Sequence, residues 1–473
     1  METPTRWKLM PRIAKGILGI FVGLIALFVV INSLDEELSP QAKALRVPAP
    51  NPYKPEENLY LALLGFDGPK GASPVATGER KLAAYESEVA LALKDPQHRF
   101  SDFSSWGEKL PFQGRIDFCQ PLTKSCLPEA GARSAEVGRL LRDNRELMHR
   151  YSRLHAFKGY RETATPSFYL LPAYVPTAVR RLYFADVAMQ IRTGGRSRQK
   201  AVLASLRDDI RTWEKQLAAS ESLVSKMVAV ANLQGDLAML SDIIAEPKLD
   251  FAGCSSEIAA ALDLVPESAW NTGSVYVHEY RLSAFMWDQA RATGGPLPLL
   301  FPGEARWWER LFDRFATPAL KVNATQNLLA EEVAQRQRMG NAAPEAFLAA
   351  RDAYRSWHER RFAFGPGYVY NPAGKVLAGT GWALYDGYAL RAYDGAAFLR
   401  LVRLGYEIRS RKIADKAIPA FMRQHPEWAS HPVDGRFFLW DGQKREIAMQ
   451  TLGDQPRDRR FAISVWSAGR RPD

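Results

Sequence analysis

One stretch of the sequence places a histidine beside a carboxylate in a helical pattern. In VYVHEYRLSAFMWDQ, His278 precedes Glu279, and Asp288 follows further along. A histidine that meets a carboxylate in space can act as a general base with an orienting partner. Successive helix positions point about 100° apart, so His278 shares a face with Arg281 and not with Glu279. The pattern therefore favours a hydrogen-bonded histidine on a half-buried helix over a catalytic one.

Three other histidines could take part in chemistry. The run Trp357-His358-Glu359 has the same arrangement and meets the same objection. His425 and His431 flank Pro426 in a loop and could bind a metal, but a zinc site needs a third protein ligand and no candidate is apparent. The sequence therefore predicts no metal site.

Signature motifs of enzymes are missing from the sequence. It contains no GxSxG, HExxH, GxxxxGK[ST] or CxxC. Gly379-Thr380-Gly381 is too short for a dinucleotide loop, and Gly374-Lys375 lacks the upstream glycine of a phosphate-binding loop. We therefore predict no cofactor, leave the catalytic residues unknown and consider an enzyme less favoured than a binding protein.

Aromatic residues are abundant, with 12 Trp and 17 Tyr. Trp307 and Trp308 are adjacent in EARWWERLF and cannot both point at one core from a helix. One of them is a candidate contact surface for a protein, a lipid or a sugar, since aromatic side chains dominate such contacts. Packing within a large core is the alternative.

Cysteine usage points to an oxidising compartment. Cys119 and Cys126 lie in the loop DFCQPLTKSC, and their short separation suits a local disulfide, with two free thiols as the alternative. A zinc site would need two more ligands, and none is near in sequence. Cys254 is left over and is expected to be buried as a small apolar residue.

The amino-terminal region contains a candidate membrane anchor. Residues 16–31 carry no charge, and with residues 13–15 they form a helix of roughly 28 Å, close to the thickness of a bilayer core. A cleaved signal peptide is the alternative, but Ile31-Asn32-Ser33 is a poor cleavage site. Basic residues precede the segment and acidic residues follow it, which predicts a cytoplasmic amino terminus and a periplasmic domain attached to the inner membrane.

The whole chain divides into five parts. Residues 1–12 form the cytoplasmic tail, 13–33 the transmembrane anchor and 34–57 a proline-rich extended tether. Apolar residues recur at helical spacing through the centre, from Leu203 to Leu217 and from Leu223 to Ile244, which predicts a three-helix array over 175–245. Residues 58–412 are therefore assigned to an irregular helical domain.

The carboxyl-terminal part, residues 413–473, has a different pattern. Phe437 to Trp440 reads as a strand, Asp441-Gly442 as a hairpin turn, and two further strands follow. The fold class predicted for the whole chain is mainly α, with an amino-terminal transmembrane helix, an irregular multi-helix domain and a small antiparallel β-meander.

Charge limits the partners that the sequence predicts. The formal net charge is +11, but basic and acidic residues are interleaved, as in Arg207-Asp208-Asp209, so no basic stripe for nucleic acid is expected. The expected partners are the bilayer and a protein or an anionic envelope polymer. Gly19 and Gly23 have the GxxxG spacing with which two anchors could pack into a homodimer.

Three stretches carry a resemblance to known proteins. WEKQLAASESLVSKMVAVANL and YNPAGKVL resemble an uncharacterised family of single-pass bacterial envelope proteins, and HPVDGRFFLWDGQKREI is faintly similar to the carboxyl end of pseudopilins. The sequence lacks the prepilin processing pattern, so pilus assembly is not implied. The resemblance implies an envelope location and no particular activity.

Two functions are consistent with these observations. The first is a membrane-anchored periplasmic protein that binds or scaffolds in the cell envelope. The alternative is an envelope hydrolase that acts on a glycan or a peptide with Asp and Glu as acid and base, a class that sequence patterns cannot identify.

Overall fold

The computed structural model describes residues 6–95, 98, 100–102, 106–167, 169, 171, 173–293, 319–380, 386–453 and 460–465. Within these residues the chain is mostly α-helical, with one small sheet. The helices are α1 (Arg6–Ile31), α2 (Pro40–Arg46), α3 (Leu59–Leu64), α4 (Pro74–Lys94), α5 (Cys126–Ala132), α6 (Ser134–Asp143), α7 (Arg145–Arg153), α8 (Thr177–Thr193), α9 (Arg196–Ala219), α10 (Leu223–Ala245), α11 (Phe251–Leu262), α12 (Gly273–Thr293), α13 (Val322–Gly340), α14 (Phe347–Arg361), α15 (Pro372–Thr380), α16 (Asp386–Ser410), α17 (Ile418–Gln424) and α18 (Pro426–Ala429). The strands are β1 (Leu439–Asp441), β2 (Glu446–Gln450) and β3 (Arg460–Ser464). The predicted fold class is confirmed.

The centre of the domain is built on α8, α9 and α10, as the apolar periodicity predicts. Leu206, Ile210, Trp213 and Leu217 of α9 are fully buried. Helix α10 packs against α9 on one side and α16 on another, so it is apolar and buried over most of its surface. It is long and apolar enough to cross a membrane, but its burial inside the domain identifies it as a core helix.

A second group of helices surrounds α13. This helix packs against α12, α14, α15 and the short α2. Helices α6 and α7 are separated by Asn144 alone. Its side chain accepts a hydrogen bond from the Gln113 amide at 2.7 Å and donates to the Gln113 and Leu140 carbonyls. A polar residue that satisfies two backbone groups of a neighbouring loop and one of α6 thus separates α6 from α7.

The carboxyl-terminal sheet confirms the predicted meander. Its strand order is β1-β2-β3, and both pairs are antiparallel. The sheet packs on α16, with Ile447 of β2 and Ile463 of β3 buried.

The amino-terminal apolar helix lies outside the core. Its residues from Ala14 to Ile31 form a helix of roughly 27 Å, and none of that stretch is buried. An added Cβ at Gly19 or Gly23 would meet nothing within 4 Å, so this face of α1 is open. Dimerisation through it stays a prediction.

The segment after this helix differs from the predicted extended tether. Residues 40–46 form α2, which packs on α12 and α13. Asp35 accepts hydrogen bonds from the Asn323 amide at 2.8 Å and the Ala324 amide at 3.1 Å, at the start of α13. Asn327 of α13 bonds in turn to Ser39 and Glu37. The prediction was wrong here because local proline content says nothing about the long-range partners that hold such a segment.

Candidate functional site

Two adjoining cavities form a cleft where α12, the loop at 161–166 and the residues after α2 meet. The larger has a volume of about 550 Å³ and the smaller about 260 Å³. Both are lined by Glu162, His278 and residues 164–166. Tyr60, Tyr85 and Tyr174 line only the smaller cavity. The larger cavity has the size of a small-molecule site.

His278, a candidate from the sequence, lies where the two cavities meet. Its side chain is only 8% exposed, and burial lowers its pKa to about 4. The charge of Glu221 raises the pKa and the charge of Arg281 lowers it. The ring is therefore neutral near pH 7, with one donor and one acceptor nitrogen. Neither nitrogen has a hydrogen-bond partner among the residues that the structure describes. His278 is thus available to bond a ligand from both cavities.

Glu162, on the opposite wall, is held by the turn before α10. Its carboxylate accepts the backbone N–H groups of Glu221 at 3.0 Å and Ser222 at 3.2 Å. The poorly solvated position raises its pKa, while these hydrogen bonds favour the charged form. Glu162 therefore fixes the wall of the cleft to the turn between α9 and α10.

One wall of the larger cavity comes from the chain that leaves α2. We call residues 45–51 the strap. Arg281 donates to the Leu45 carbonyl at 3.0 Å and to the Val47 carbonyl at 3.0 Å, and Arg161 donates to the Ala49 carbonyl at 2.6 Å. These two guanidinium groups hold the strap against the cleft.

The formal charges that line the larger cavity balance, since Arg46, Arg161 and Arg281 are matched by Glu162, Glu221 and Asp288. Glu221 pairs with both Arg161 and Arg281. Arg46 pairs with Asp288 at 2.6 Å, so the Asp288 that the sequence singled out is an ion-pair partner at the rim. The neutral His278 adds no charge, but Arg161 and Arg281 share the single carboxylate of Glu221, so the cleft suits a ligand that is polar and uncharged or that offers one carboxylate to these guanidinium groups.

The other candidates from the α12 motif do not join this site. Glu279 is 8% exposed, has a partner of its own and does not line either cavity. The cleft therefore lacks the histidine–carboxylate pair that a general base would need from this motif, as the helix geometry predicted.

The remaining histidines occupy structural positions. His358 lies 3.9 Å from Glu332, which accepts a hydrogen bond from Tyr354 at 2.7 Å, and Glu359 is exposed. His425 stacks on Trp428 with ring centroids 4.7 Å apart. In the described part of the chain, no group of three metal-ligating side chains is present.

His431 attaches the carboxyl-terminal region to α16. The Val433 amide donates to its Nδ1 at 3.2 Å, so the proton lies on Nε2, which donates to Asp394 of α16 at 3.2 Å. Asp394 also accepts the amides of Leu452 and Gly453 at 2.8 and 3.0 Å. A buried histidine with both nitrogens satisfied has a role in stability and is not a metal ligand.

A buried carboxyl pair lies between α9 and α10. Asp209 and Asp236 are at most 1% exposed and hydrogen-bonded to each other. Arg180 of α8 donates to Asp236 at 2.8 Å, and Tyr151 donates to Asp209 at 2.9 Å. Neither carboxyl lines any of the four cavities found among the described residues.

The cysteines are arranged as predicted. The sulfurs of Cys119 and Cys126 lie 1.97 Å apart, at bonding distance, and Cys254 is free and buried. Trp307 and Trp308, the predicted contact surface, lie outside the described residues, and so do Trp382 and Tyr385.

Most residues of the cleft could not be found from the sequence. Arg161 and Glu162 lie in an irregular loop without periodicity, and Glu221 lies in the turn between two helices. Their roles depend on contacts across more than fifty residues of chain, as in the bond from Glu221 to Glu162. Only the α12 motif gave a local signal, and it placed His278, Arg281 and Asp288 in the lining of the cleft.

No known protein family, curated protein or solved structure matches the chain. The resemblance to single-pass envelope proteins therefore stays a prediction.

Proposed function

We propose that the chain is a membrane-anchored protein of the cell envelope that binds a polar ligand in the cleft around His278. In this proposal α1 crosses the inner membrane, the amino terminus is cytoplasmic and the helical domain is periplasmic. The observation that supports it best is the strap: the chain that leaves α1 passes through α2 and directly forms a wall of the cleft. The anchor and the cleft are therefore parts of one structural unit.

The state of the cleft residues favours binding over catalysis. Glu162 is committed to two backbone amides, Glu221 to two arginines and Asp288 to Arg46. A hydrolase of the acid–base kind needs two carboxyl groups free to exchange protons with a substrate. His278 has no hydrogen-bond partner among the described residues, and a neutral imidazole can donate one hydrogen bond and accept another.

The same residues define the class of ligand. Arg161 and Arg281, which share the carboxylate of Glu221, suit a ligand with a single carboxylate, and the tyrosines of the smaller cavity suit stacking against a sugar or an apolar group. A fragment of an envelope polymer, with a carboxylate-bearing peptide attached to sugars, combines these features. We therefore propose a disaccharide-peptide as the ligand class.

Calorimetry on the detergent-solubilised full chain tests the proposal. The probes are a soluble disaccharide-peptide from peptidoglycan and the same disaccharide without its peptide. We expect the first to bind more tightly, and we expect His278→Phe to weaken its binding by roughly tenfold or more, because a buried group that loses its hydrogen bond costs about 1–3 kcal/mol. His278→Gln keeps a neutral donor and acceptor and should retain binding.

The control is His425→Ala, which removes a histidine that does not line the cleft. Equal binding by His278→Phe and the original chain, or no binding of either probe, would contradict the proposal. Cleavage of the probe by the original chain, together with binding but no cleavage by His278→Gln, would establish the hydrolase instead.

A further inference from the structure

An aromatic and basic segment lies close to the end of the apolar helix. Residues 360–371, which we call the aromatic loop, have the sequence RRFAFGPGYVYN. Phe364 is 91% exposed, more than any other large apolar side chain in the described part of the chain, and Val369 is 43% exposed. A benzyl side chain held in water has an unfavourable free energy, and together with Val369 it makes this segment a candidate for contact with an apolar partner.

The position of the aromatic loop is set by Asn32, the first residue after α1. The Asn32 side chain is 2% exposed, donates to the Val369 carbonyl at 2.8 Å and accepts the Asn371 amide at 2.9 Å. The Asn371 side chain accepts the amide of Lys321 at 2.8 Å and so attaches the same point to the start of α13. The aromatic loop therefore lies at the level where α1 ends.

The aromatic loop is held in shape by its own contacts. The Tyr368 hydroxyl donates to the Phe362 carbonyl at 2.9 Å. The Lys375 ammonium donates to the Gly367 carbonyl and lies 5.9 Å from the Tyr368 ring centroid. A loop that is already ordered does not need to lose conformational entropy when Phe364 enters an apolar medium.

The composition of the aromatic loop matches a bilayer interface. Tyrosine is typical of the level of lipid headgroups, where its ring is in an apolar layer and its hydroxyl in a wet one. Arg360 is exposed, and Arg361, paired with Glu331, is 37% exposed, so both can approach anionic headgroups. Leu34 and Val376, at the same end of α1, add exposed apolar surface.

We propose that the aromatic loop is a second membrane contact, with Phe364 inserted among the lipids of the leaflet from which α1 emerges. This inference rests on the proposed anchoring by α1, because the position of Asn32 places the loop at the membrane only if α1 spans it. An anchor and an adjacent insertion fix a domain in orientation as well as in distance. The cleft would then lie at a constant height above the membrane.

Fluorescence from single labelled cysteines tests the contact. Phe364→Cys and, in a second chain that keeps Phe364, Val369→Cys are labelled with an environment-sensitive dye and reconstituted into phosphatidylethanolamine–phosphatidylglycerol vesicles. The natural cysteines do not interfere, since Cys119 and Cys126 are bonded and Cys254 is buried. Leu24→Cys reports on the anchor, and Leu439→Cys, 62% exposed on β1, is the matched control.

We expect blue-shifted emission at 364 and 369 that is quenched by lipids with a nitroxide near the headgroup. The label at 24 should be quenched by deep nitroxides and the label at 439 by neither. If the label at position 24 is quenched while the labels at 364 and 369 behave like the label at 439, the membrane contact of the loop is refuted and the anchoring by α1 is retained. If 24 is not quenched, anchoring fails and this inference fails with it. Blue-shifted labels that no lipid quenches would show that protein covers the loop, which also overturns the proposal.

Discussion

The buried pair Asp209 and Asp236 shows how single side chains can carry charge inside this domain. Burial raises the pKa of Asp236. The negative charge of Asp209 raises it as well, whereas the positive charge of Arg180 lowers it. Burial also opposes the charge on Asp209, but the hydrogen bond from His155 and the charge of Arg180 lower its pKa. Asp236 is therefore the protonated member, which explains why its Oδ2 receives no donor: it gives its own proton to Asp209.

This assignment predicts unequal effects of two matched substitutions. In Asp209→Asn an amide oxygen replaces a carboxylate on which Tyr151, His155 and Arg180 converge, so we expect a loss of roughly 2–3 kcal/mol of unfolding free energy. In Asp236→Asn the amide still accepts from Arg180 and still donates to Asp209, so the loss should stay below about 1 kcal/mol. Thermal unfolding followed by tryptophan fluorescence measures both, with Asp208→Asn, on the partly exposed side of α9, as control.

The pH dependence has a defined sign. A pKa that is raised in the folded state means that the folded chain binds the proton more tightly than the unfolded chain, so stability falls as pH rises through the raised pKa. Asp236→Asn removes this pH dependence. The unfolding free energy of the variant, relative to that of the original chain, should therefore rise as pH increases. The opposite trend, or equal losses in the two variants, would show that the proton lies on Asp209.

At the scale of elements, the sequence predicted what local patterns determine. The stripes of α9 and α10 and the Asp441-Gly442 hairpin are periodic or turn signals that act within a few residues, and they were confirmed. Helix α2 was missed because it is short and lies in a proline-rich segment. Its stability comes from Asp35, Ser39 and Gln41, which bond to α13 across nearly three hundred residues. The cleft was missed for the same reason, since the strap that forms its wall depends on Arg161 and Arg281.

The loop between Cys119 and Cys126 gives a prediction at this scale. We expect thiol labelling of the unfolded, unreduced chain to modify only Cys254, and the double variant Cys119→Ser with Cys126→Ser to lose roughly 2–3 kcal/mol of stability because its unfolded loop regains freedom. Other contacts already hold this loop, since Glu129 accepts the Cys119 amide and Asp242 the Cys126 amide. Labelling of three cysteines, or an unchanged melting temperature, would contradict the expectation.

At the scale of the whole molecule, the packed junction changes how the anchor would act. A flexible tether raises the local concentration of a domain but leaves its orientation free. Here the residues from Asn32 to Arg46 are bonded to α13, α12 and the aromatic loop, so the domain continues rigidly from α1. A rigid continuation suits a protein that presents one cleft to a fixed layer of the envelope, and it makes the position of every surface depend on the topology of α1.

The topology is therefore the prediction on which the proposed function depends. Four basic residues before the apolar stretch, Arg6, Lys8, Arg12 and Lys15, should hold the amino terminus in the cytoplasm, so a reporter that is active only outside the cytoplasm should be active when fused after Asp473. The fusion should stay in the membrane after an alkaline carbonate wash, because an uncleaved α1 keeps it there. A variant with these four residues changed to serine should lose much of the outside activity, since the orientation signal is gone. Four serines at the exposed Arg139, Arg355, Arg411 and Arg423 should leave it unchanged. Release of an active fusion by the wash would identify a cleaved signal sequence, and activity of only a cytoplasmic reporter would refute both the periplasmic location and the membrane contact of the aromatic loop on that side.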